Sequence, residues 1–423
     1  MKDSSYYLLI TKLKKDVSKK VTFKNFIITL FSVSIIFIVL LKFDDINGAI
    51  PEENMSTIQI IEYYRYPAET IRVKSDDGYI LEMHRIPYGK VSSNNNTKTP
   101  RPAIFLQHGL LASSSDWVVN EPSQSPAFVF ADAGFDVWMG NMRGNVYSRQ
   151  HEKYSTFSRK FWRFSWDEMA KYDLDAMINY ILDVTGQESL YYIGHSQGTI
   201  TMFSKLSEDK IFQKKVKKMF ALAPVAQVGH IKGLMYTISE LFHSSINLFE
   251  KYFGSMEFLP STWYIRMASR LFCGSKLTNP LCQNVMFLIG GPESNQLNTT
   301  RLPVYLSHTP AGTSTDNIAH WAQMVISKKV QKFDFGSPDK NLLHYNQTTP
   351  PYYDFSKIFN DIYLYWSDSD WLADEIDVQE GLLHVLPNIK LNKHLIDFNH
   401  FDFIYGLRAR KEIYDDIIEI IKS

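Results

Sequence analysis

The chain has 423 residues, of which 45% are hydrophobic and 21% are charged, a composition typical of a globular protein with a large core. Its 45 Lys and Arg residues balance 45 Asp and Glu residues, so electrostatics give no reason to expect a nucleic-acid partner. No Cys/His cluster has the spacing of a structural zinc site, and we predict neither a metal nor another cofactor.

The first element in chain order is an uncharged apolar segment, residues 26–41, between a lysine-rich leader (1–25) and an acidic linker (42–54). As a helix it would span roughly 24 Å, slightly less than the roughly 30 Å core of a bilayer. The basic leader should stay cytoplasmic. A retained signal anchor and a signal peptide cleaved near Gly48-Ala49 both stay open. Either kind of segment would direct the rest of the chain into the secretory pathway. The catalytic part would then be lumenal or extracellular, and the lysosome is one such location.

Four Asn-x-Ser/Thr sequons follow this segment, and exposed sequons in a lumenal chain are N-glycosylation acceptors. Asn95 is the best candidate, because it lies in the polar stretch SSNNNTKTP. The four asparagines are Asn54, Asn95, Asn298 and Asn346.

Beyond residue 55, short apolar runs alternate with helical patterns such as 165–182. Apolar runs without polar alternation are typical of strands buried on both faces. The alternation predicts an α/β fold with a mostly parallel sheet and helices on both of its faces. The predicted strands are 103–106, 135–139, 190–193, 219–222 and 362–366.

One region, residues 226–355, lacks this alternation and carries both cysteines. We interpret it as a cap inserted over the sheet, which divides the core into 55–225 and 356–423. The alternative interpretation is that residues 226–355 are a further part of the core.

Residues 194–198 read G-x-S-x-G, with an apolar strand before them and a helical pattern after them. This context is typical of a sharp strand-to-helix turn that exposes a nucleophilic serine, here Ser196. The glycines two positions to either side leave room for that turn. One oxyanion-hole amide should come from Gln197 and the other from Leu110, in the loop after strand 103–106.

A serine nucleophile needs a base, and in this fold class the chain order is serine, acid, histidine. His400 is the strongest candidate base, because it follows a β-rich stretch and lies in the loop sequence FNHFDF. The acid should follow strand 362–366, where capping of a helix that begins near Trp371 is the competing role for every aspartate. The candidate acids are Asp368, Asp370, Asp374 and Asp377.

Several longer motifs make the sequence resemble the acid lipase family, the group of gastric lipase and lysosomal acid lipase. The resemblance covers most of residues 55–415. The motifs are YPAE (66–69), DGYIL (77–81), HRIP (84–87), QHGLL (107–111), DVWMGNMRGN (136–145), GHSQGT (194–199), ALAPVA (221–226), SHTPAGTS (307–314), HW (320–321) and NHFDF (399–403).

The resemblance implies a triad of Ser196, Asp370 and His400, a cap over the cleft and a Cys273–Cys282 disulfide. It also implies the oxyanion amides of Leu110 and Gln197. The chain departs from the family pattern at Ser367-Asp368, where a glycine pair is common, and at Met142.

The expected function is hydrolysis of neutral lipid esters, triacylglycerols or sterol esters, at a lipid–water interface. A short-chain carboxylesterase with the same machinery is the alternative. A non-catalytic binding protein is the remote alternative, since a fold does not fix a function.

Overall fold

The structure is a computed structural model that describes residues 50–90, 100–240, 254–261 and 279–423. The apolar segment 26–41, Asn95 and Cys273 lie outside the described residues. Among the residues it does describe, no helix has the length and apolar character needed to cross a membrane.

Nine strands form one mixed sheet with the order β1-β2-β4-β3-β6-β7-β10-β11, and β5 pairs with β2. Strand β2 is antiparallel to its neighbours, whereas every pair from β4 to β11 is parallel. The predicted mostly parallel α/β sheet is therefore confirmed. The strands are β1 (Glu69–Lys74), β2 (Tyr79–Ile86), β3 (Ala103–Gln107), β4 (Asp136–Met139), β5 (Gln150–His151), β6 (Leu190–His195), β7 (Val216–Leu222), β10 (Asp361–Trp366) and β11 (Ile389–His394).

Helices pack around this sheet. The predicted helix over 165–182 is present, but it contains a π-helical turn, Met169–Asp173, between Trp166–Glu168 and α3. The helices are α1 (Thr57–Tyr63), α2 (Pro126–Asp132), α3 (Leu174–Thr185), α4 (Gln197–Glu208), α5 (Lys210–Gln213), α6 (Asn279–Gly290), α7 (Leu302–His308), α8 (Thr315–Ser327), α9 (Pro338–Tyr345), α10 (Glu375–Val378), α11 (Asp402–Tyr405) and α12 (Asp415–Lys422).

The chain between β7 and β10 has a different architecture. Its described residues add helices α6–α9 and a separate two-stranded sheet of β8 (Glu257–Phe258) and β9 (Thr313–Ser314). None of those residues contributes a strand to the nine-stranded sheet.

The carboxyl ends of the parallel strands position the site. β6 ends at His195, β10 at Trp366 and β11 at His394, so the segments that follow them start at the same edge of the sheet. Strands β3 and β6 are buried along their whole length, so this edge is fixed by the core.

Candidate active site

Ser196 lies in the tight turn between β6 and α4. Its φ of 53° and ψ of −120° are uncommon for a residue with a side chain, and its N–H donates to the Leu222 carbonyl at 3.1 Å. The backbone of Ser196 is therefore strained and is held by the neighbouring strand β7.

The two glycines of the motif are required by close backbone approach. A Cβ at Gly198 would lie 2.4 Å from the Gln107 carbonyl oxygen, and one at Gly194 would lie 2.8 Å from the Gly198 carbonyl oxygen. Any larger residue at either position would push β6, α4 and the end of β3 apart. The packing reason predicted for these glycines is confirmed.

His400 and Asp370 are brought together. His400 Nδ1 is 2.9 Å and 3.0 Å from the two Asp370 carboxylate oxygens, and the side chains are 3% and 0% exposed. Asp370 also accepts hydrogen bonds from the Leu372 and Ala373 N–H groups at 2.8 Å each. The Asp370 carboxylate is thus fixed by three partners. Because His400 contacts it through Nδ1, the Nε2 atom of His400 remains available to another group.

The helix predicted to begin near Trp371 begins at Glu375 instead. The reason is local: Asp370 binds the next backbone N–H groups as a turn, and Asp374 caps the helix by accepting from the Ile376 N–H. Asp374 is therefore the helix cap.

The other two candidate aspartates contact different histidines. Asp377 binds His230 Nδ1 at 2.8 Å, and Asp368 lies 3.5 Å from His394 Nε2. Among the described residues, Asp370 is the aspartate that is hydrogen-bonded to His400.

His195 links Ser196 to the His400 loop. His195 Nε2 lies 3.0 Å from the His400 carbonyl oxygen, and the two rings are 4.9 Å apart. Burial lowers the pKa of His195 to about 3, so the ring is neutral and donates from Nε2. The Ser196 hydroxyl makes no hydrogen bond to another residue of the described ranges.

The residues predicted to supply the oxyanion amides are on segments next to Ser196. Gly109 packs so closely that a Cβ there would be 3.0 Å from the Ser196 Cβ, which places the loop of Leu110 next to Ser196. Within the described part of the chain, neither the Leu110 N–H nor the Gln197 N–H donates to a protein acceptor. Gln197 is also the first residue of α4, where a helix leaves its N–H groups unpaired.

The position of Met142 is explained by its backbone. The Met142 N–H donates to His108 Nε2 at 3.1 Å, and His108 Nδ1 donates to the Gly109 carbonyl at 2.8 Å. Burial lowers the pKa of His108 to about 4, which keeps this bridge neutral. The neighbouring Arg143 forms a buried ion pair with Asp173, so the motif is held both to Asp173 and, through Met142, to His108.

The region between β7 and β10 also holds the site, which the sequence did not predict. The carbonyl of Gly290, at the end of α6, accepts from the N–H groups of both His400 and Trp371 at 3.0 and 3.2 Å. A Cβ at Gly291 would lie 2.1 Å from the Ser369 carbonyl. The adjacent glycines 290 and 291 are a sequence feature that could have indicated such a close approach.

The remaining predicted residues lie elsewhere. Asn54 and Asn346 are exposed and Asn298 is half-buried. Cys282 lies on α6, and no described cysteine is a free thiol, while its predicted partner Cys273 is outside the described residues. No group of three His, Cys, Asp or Glu side chains within the described ranges could hold a metal ion.

Comparison of the sequence and the fold with known proteins identifies the family of this chain. The family described as "Partial alpha/beta-hydrolase lipase region" matches residues 57–121, and "alpha/beta hydrolase fold" matches 102–407. A solved structure titled as a putative lipase from Sulfolobus solfataricus superposes with a TM-score of 0.57 at 13% identity, covering 84% of this chain and 93% of its own, which shows the fold.

Curated relatives extend over most of the chain. Lipase lipl-1 of Caenorhabditis elegans is 54% identical over 383 residues, covering 89% of this chain and 94% of that protein. Human gastric triacylglycerol lipase is 45% identical over 381 residues, which cover 90% of this chain and 94% of that protein. Human lysosomal acid lipase/cholesteryl ester hydrolase is 44% identical over 373 residues, which cover 88% of this chain and 92% of that protein. The chain therefore belongs to the acid lipase family of the α/β-hydrolase fold.

Proposed function

We propose that the protein hydrolyses the carboxylic esters of neutral lipids, triacylglycerols or sterol esters, with Ser196, His400 and Asp370 as its triad. The observation that carries this proposal is the buried His400–Asp370 pair, which His195 ties to the turn of Ser196. The names of the relatives supply the substrate class, since they include a triacylglycerol lipase and a cholesteryl ester hydrolase.

The geometry supports the following chemistry. Asp370 holds the Nδ1 proton of His400, so Nε2 is free to take the proton of Ser196 Oγ as that oxygen attacks the ester carbonyl. The carbonyl oxygen becomes negative and accepts hydrogen bonds from the Leu110 and Gln197 N–H groups. His400 then protonates the leaving alcohol, and a water molecule releases the fatty acid by the same steps in reverse order.

Residues 226–355 would act as the cap over this site. Ser196 is buried, 8% exposed, and on this proposal a long-chain ester reaches the hydroxyl when part of the cap moves. An apolar substrate must leave water for an apolar, covered cleft, and a lipid interface would favour the open state.

A substrate panel tests the function. Full-length protein should hydrolyse emulsified triacylglycerol and a cholesteryl ester, and its rate should rise when a substrate passes from monomers to an emulsion. Ser196→Ala should lower turnover by roughly 10⁵–10⁶-fold, as in other serine hydrolases. Activity confined to dissolved short-chain esters would favour a carboxylesterase, and an active Ser196→Ala protein would exclude this mechanism.

We also propose a secretory location for the catalytic unit. The exposed sequons at Asn54 and Asn346 support it, as does the absence of a free thiol at Cys282. Carbonate extraction with sequencing of the mature N-terminus distinguishes an anchor at 26–41 from a cleaved peptide. Glycosidase treatment and non-reducing mass mapping test the glycans and the Cys273–Cys282 bond, and unmodified asparagines with two alkylated cysteines would contradict this location.

A further inference from the structure

The side chain of Gln197 is tethered to helix α8. Its Oε1 accepts hydrogen bonds from Trp321 Nε1 at 2.7 Å and from Asn317 Nδ2 at 3.0 Å. Its Nε2 donates to Met169 Sδ at 3.4 Å, on the opposite side. Gln197 and Asn317 are buried and Trp321 is partly buried, so these contacts are shielded from water.

The same stretch of chain also holds the other side of the oxyanion hole. The Ala311 N–H donates to the Leu111 carbonyl at 2.6 Å, and the Val146 N–H donates to the Ala311 carbonyl at 2.8 Å. Residues 311–321 therefore contact both the loop of Leu110 and the side chain of Gln197.

This tether matters because of the strain at Ser196. The ψ angle of Ser196, −120°, sets the plane of the peptide between Ser196 and Gln197, and hence the direction of the Gln197 N–H. A strained conformation of this kind costs about 1–3 kcal/mol and persists only where the surroundings enforce it. Two hydrogen bonds to the Gln197 side chain oppose relaxation of that peptide.

We infer that Trp321 and Asn317 are positioning residues that hold the Gln197 amide in the oxyanion hole by binding its side chain. The inference rests on the proposed function, because the amide has this role only if Ser196 is the nucleophile. The cap region then contributes to transition-state stabilisation as well as covering the cleft.

The test uses full-length protein with the variants Trp321→Phe and Asn317→Ala. Trp321→Phe removes the donor but keeps an aromatic ring. Loss of a whole oxyanion donor costs about 10²–10³ in kcat, and a donor that is merely loosened should cost less, about tenfold. KM should stay within about twofold, and the pH profile of kcat should not change, because His400 and Asp370 keep their contacts.

A p-nitrophenyl phosphonate ester, which reacts with the nucleophilic serine, gives a second readout. Ser196 Oγ forms a bond to phosphorus, p-nitrophenolate leaves, and His400 takes the serine proton, which leaves a phosphonyl oxygen in the oxyanion hole. The release of p-nitrophenolate should slow as much as kcat in both variants. The control is Trp162→Phe, which removes a Trp hydrogen bond, to the Thr156 carbonyl, that involves neither Gln197 nor Asn317, and it should leave both rates unchanged.

Gln197→Met separates action through Gln197 from other roles of Trp321. It keeps the backbone amide but cannot accept the two hydrogen bonds, so it should lower kcat about tenfold by itself. Adding Trp321→Phe to it should cause no further loss, since the two residues would form one coupled unit.

Several results would overturn the inference. They are a further tenfold loss in the double variant, a rise in KM alone, an unchanged kcat in Trp321→Phe, or an equal loss in Trp162→Phe. If Ser196→Ala is inactive while Trp321→Phe is normal, only this inference fails. If Ser196→Ala is active, the proposed function fails with it.

Discussion

Two histidine–aspartate pairs in this protein have nearly the same contact and different surroundings. His400 and Asp370 meet at 2.9 Å with side chains 3% and 0% exposed, and His230 and Asp377 meet at 2.8 Å with side chains 33% and 2% exposed. The first pair lies on loops after β10 and β11, whereas Asp377 lies on α10 and His230 on the loop after β7.

The difference is in what surrounds each histidine. His400 is held by His195 at its own carbonyl and by Gly290 at its own N–H, so it is fixed relative to the turn of Ser196. His230 gives both its N–H and its Nδ1 contact to Asp377, an arrangement that fastens one loop to one helix. A short His–Asp distance alone therefore does not distinguish the two pairs, and the pair proposed as catalytic differs by its connection to the turn of Ser196.

The largest expected effect is at Asp370. Asp370→Asn keeps an oxygen for the Leu372 and Ala373 N–H groups but presents the wrong partner to the imidazole, and such a change costs about 10⁴ in kcat in serine proteases. The measurement is kcat on one ester with the melting temperature as a folding control. Near-normal turnover in Asp370→Asn with a large loss in Asp377→Asn would reverse the assignment of the two pairs.

Removal of the His195 contact should have the next largest effect. His195→Phe preserves a ring but leaves the buried His400 carbonyl unpaired, which costs roughly 1–3 kcal/mol, and kcat should fall about tenfold. His230→Phe, the matched change at the other pair, should leave kcat within twofold. A loss at His230 equal to that at His195 would remove the distinction between the pairs.

The same variant has a pH signature. Burial lowers the pKa of His195 to about 3 in the folded protein, from about 6.5 for an unperturbed histidine. As pH falls from 6.5 towards 3, the unfolded chain binds a proton that the folded chain does not, so His195 lowers stability in acid by up to about 1.4 kcal/mol per pH unit. The deficit in melting temperature of His195→Phe should therefore shrink between pH 7 and pH 4, and a deficit that grows would show a charged His195.

The sequence predicted the parts of the site that local patterns encode. A buried strand, a G-x-S-x-G turn and a helix identify Ser196 and Gln197 as candidates, and the aspartates that follow β10 limit the candidate acid to four positions. It could not predict that Gly290, Ala311 and Trp321 hold the site, because those contacts join residues far apart in the chain. The helix start near Trp371 was wrong because the Asp370 carboxylate competes with helix formation for the next N–H groups.

A smaller effect is expected at the second pair. Asp377→Asn removes the charge opposite His230 and weakens two hydrogen bonds, which should lower the free energy of unfolding by about 1 kcal/mol. For a protein of this size the melting temperature should fall by about 1–3 °C, with kcat unchanged. Thermal unfolding and kcat measured on the same preparation test this, and a fall in kcat beyond about twofold would assign the second pair a role in turnover.

The smallest effect is expected at Asp368, which forms a third contact of the same kind. Asp368 and His394 are 3.5 Å apart, and their side chains are 52% and 42% exposed. Water screens an exposed ion pair, and holding both side chains in place costs entropy, so such pairs contribute about 0–1 kcal/mol. Asp368→Asn should therefore change neither kcat nor the melting temperature measurably, at low or at high salt. Because Asp368 is two residues from Asp370 on the same turn, the change also shows whether the turn itself tolerates substitution. A loss of kcat near that of Asp370→Asn, with an unchanged melting temperature, would mean that the turn rearranges and that Asp368 serves His400 in solution.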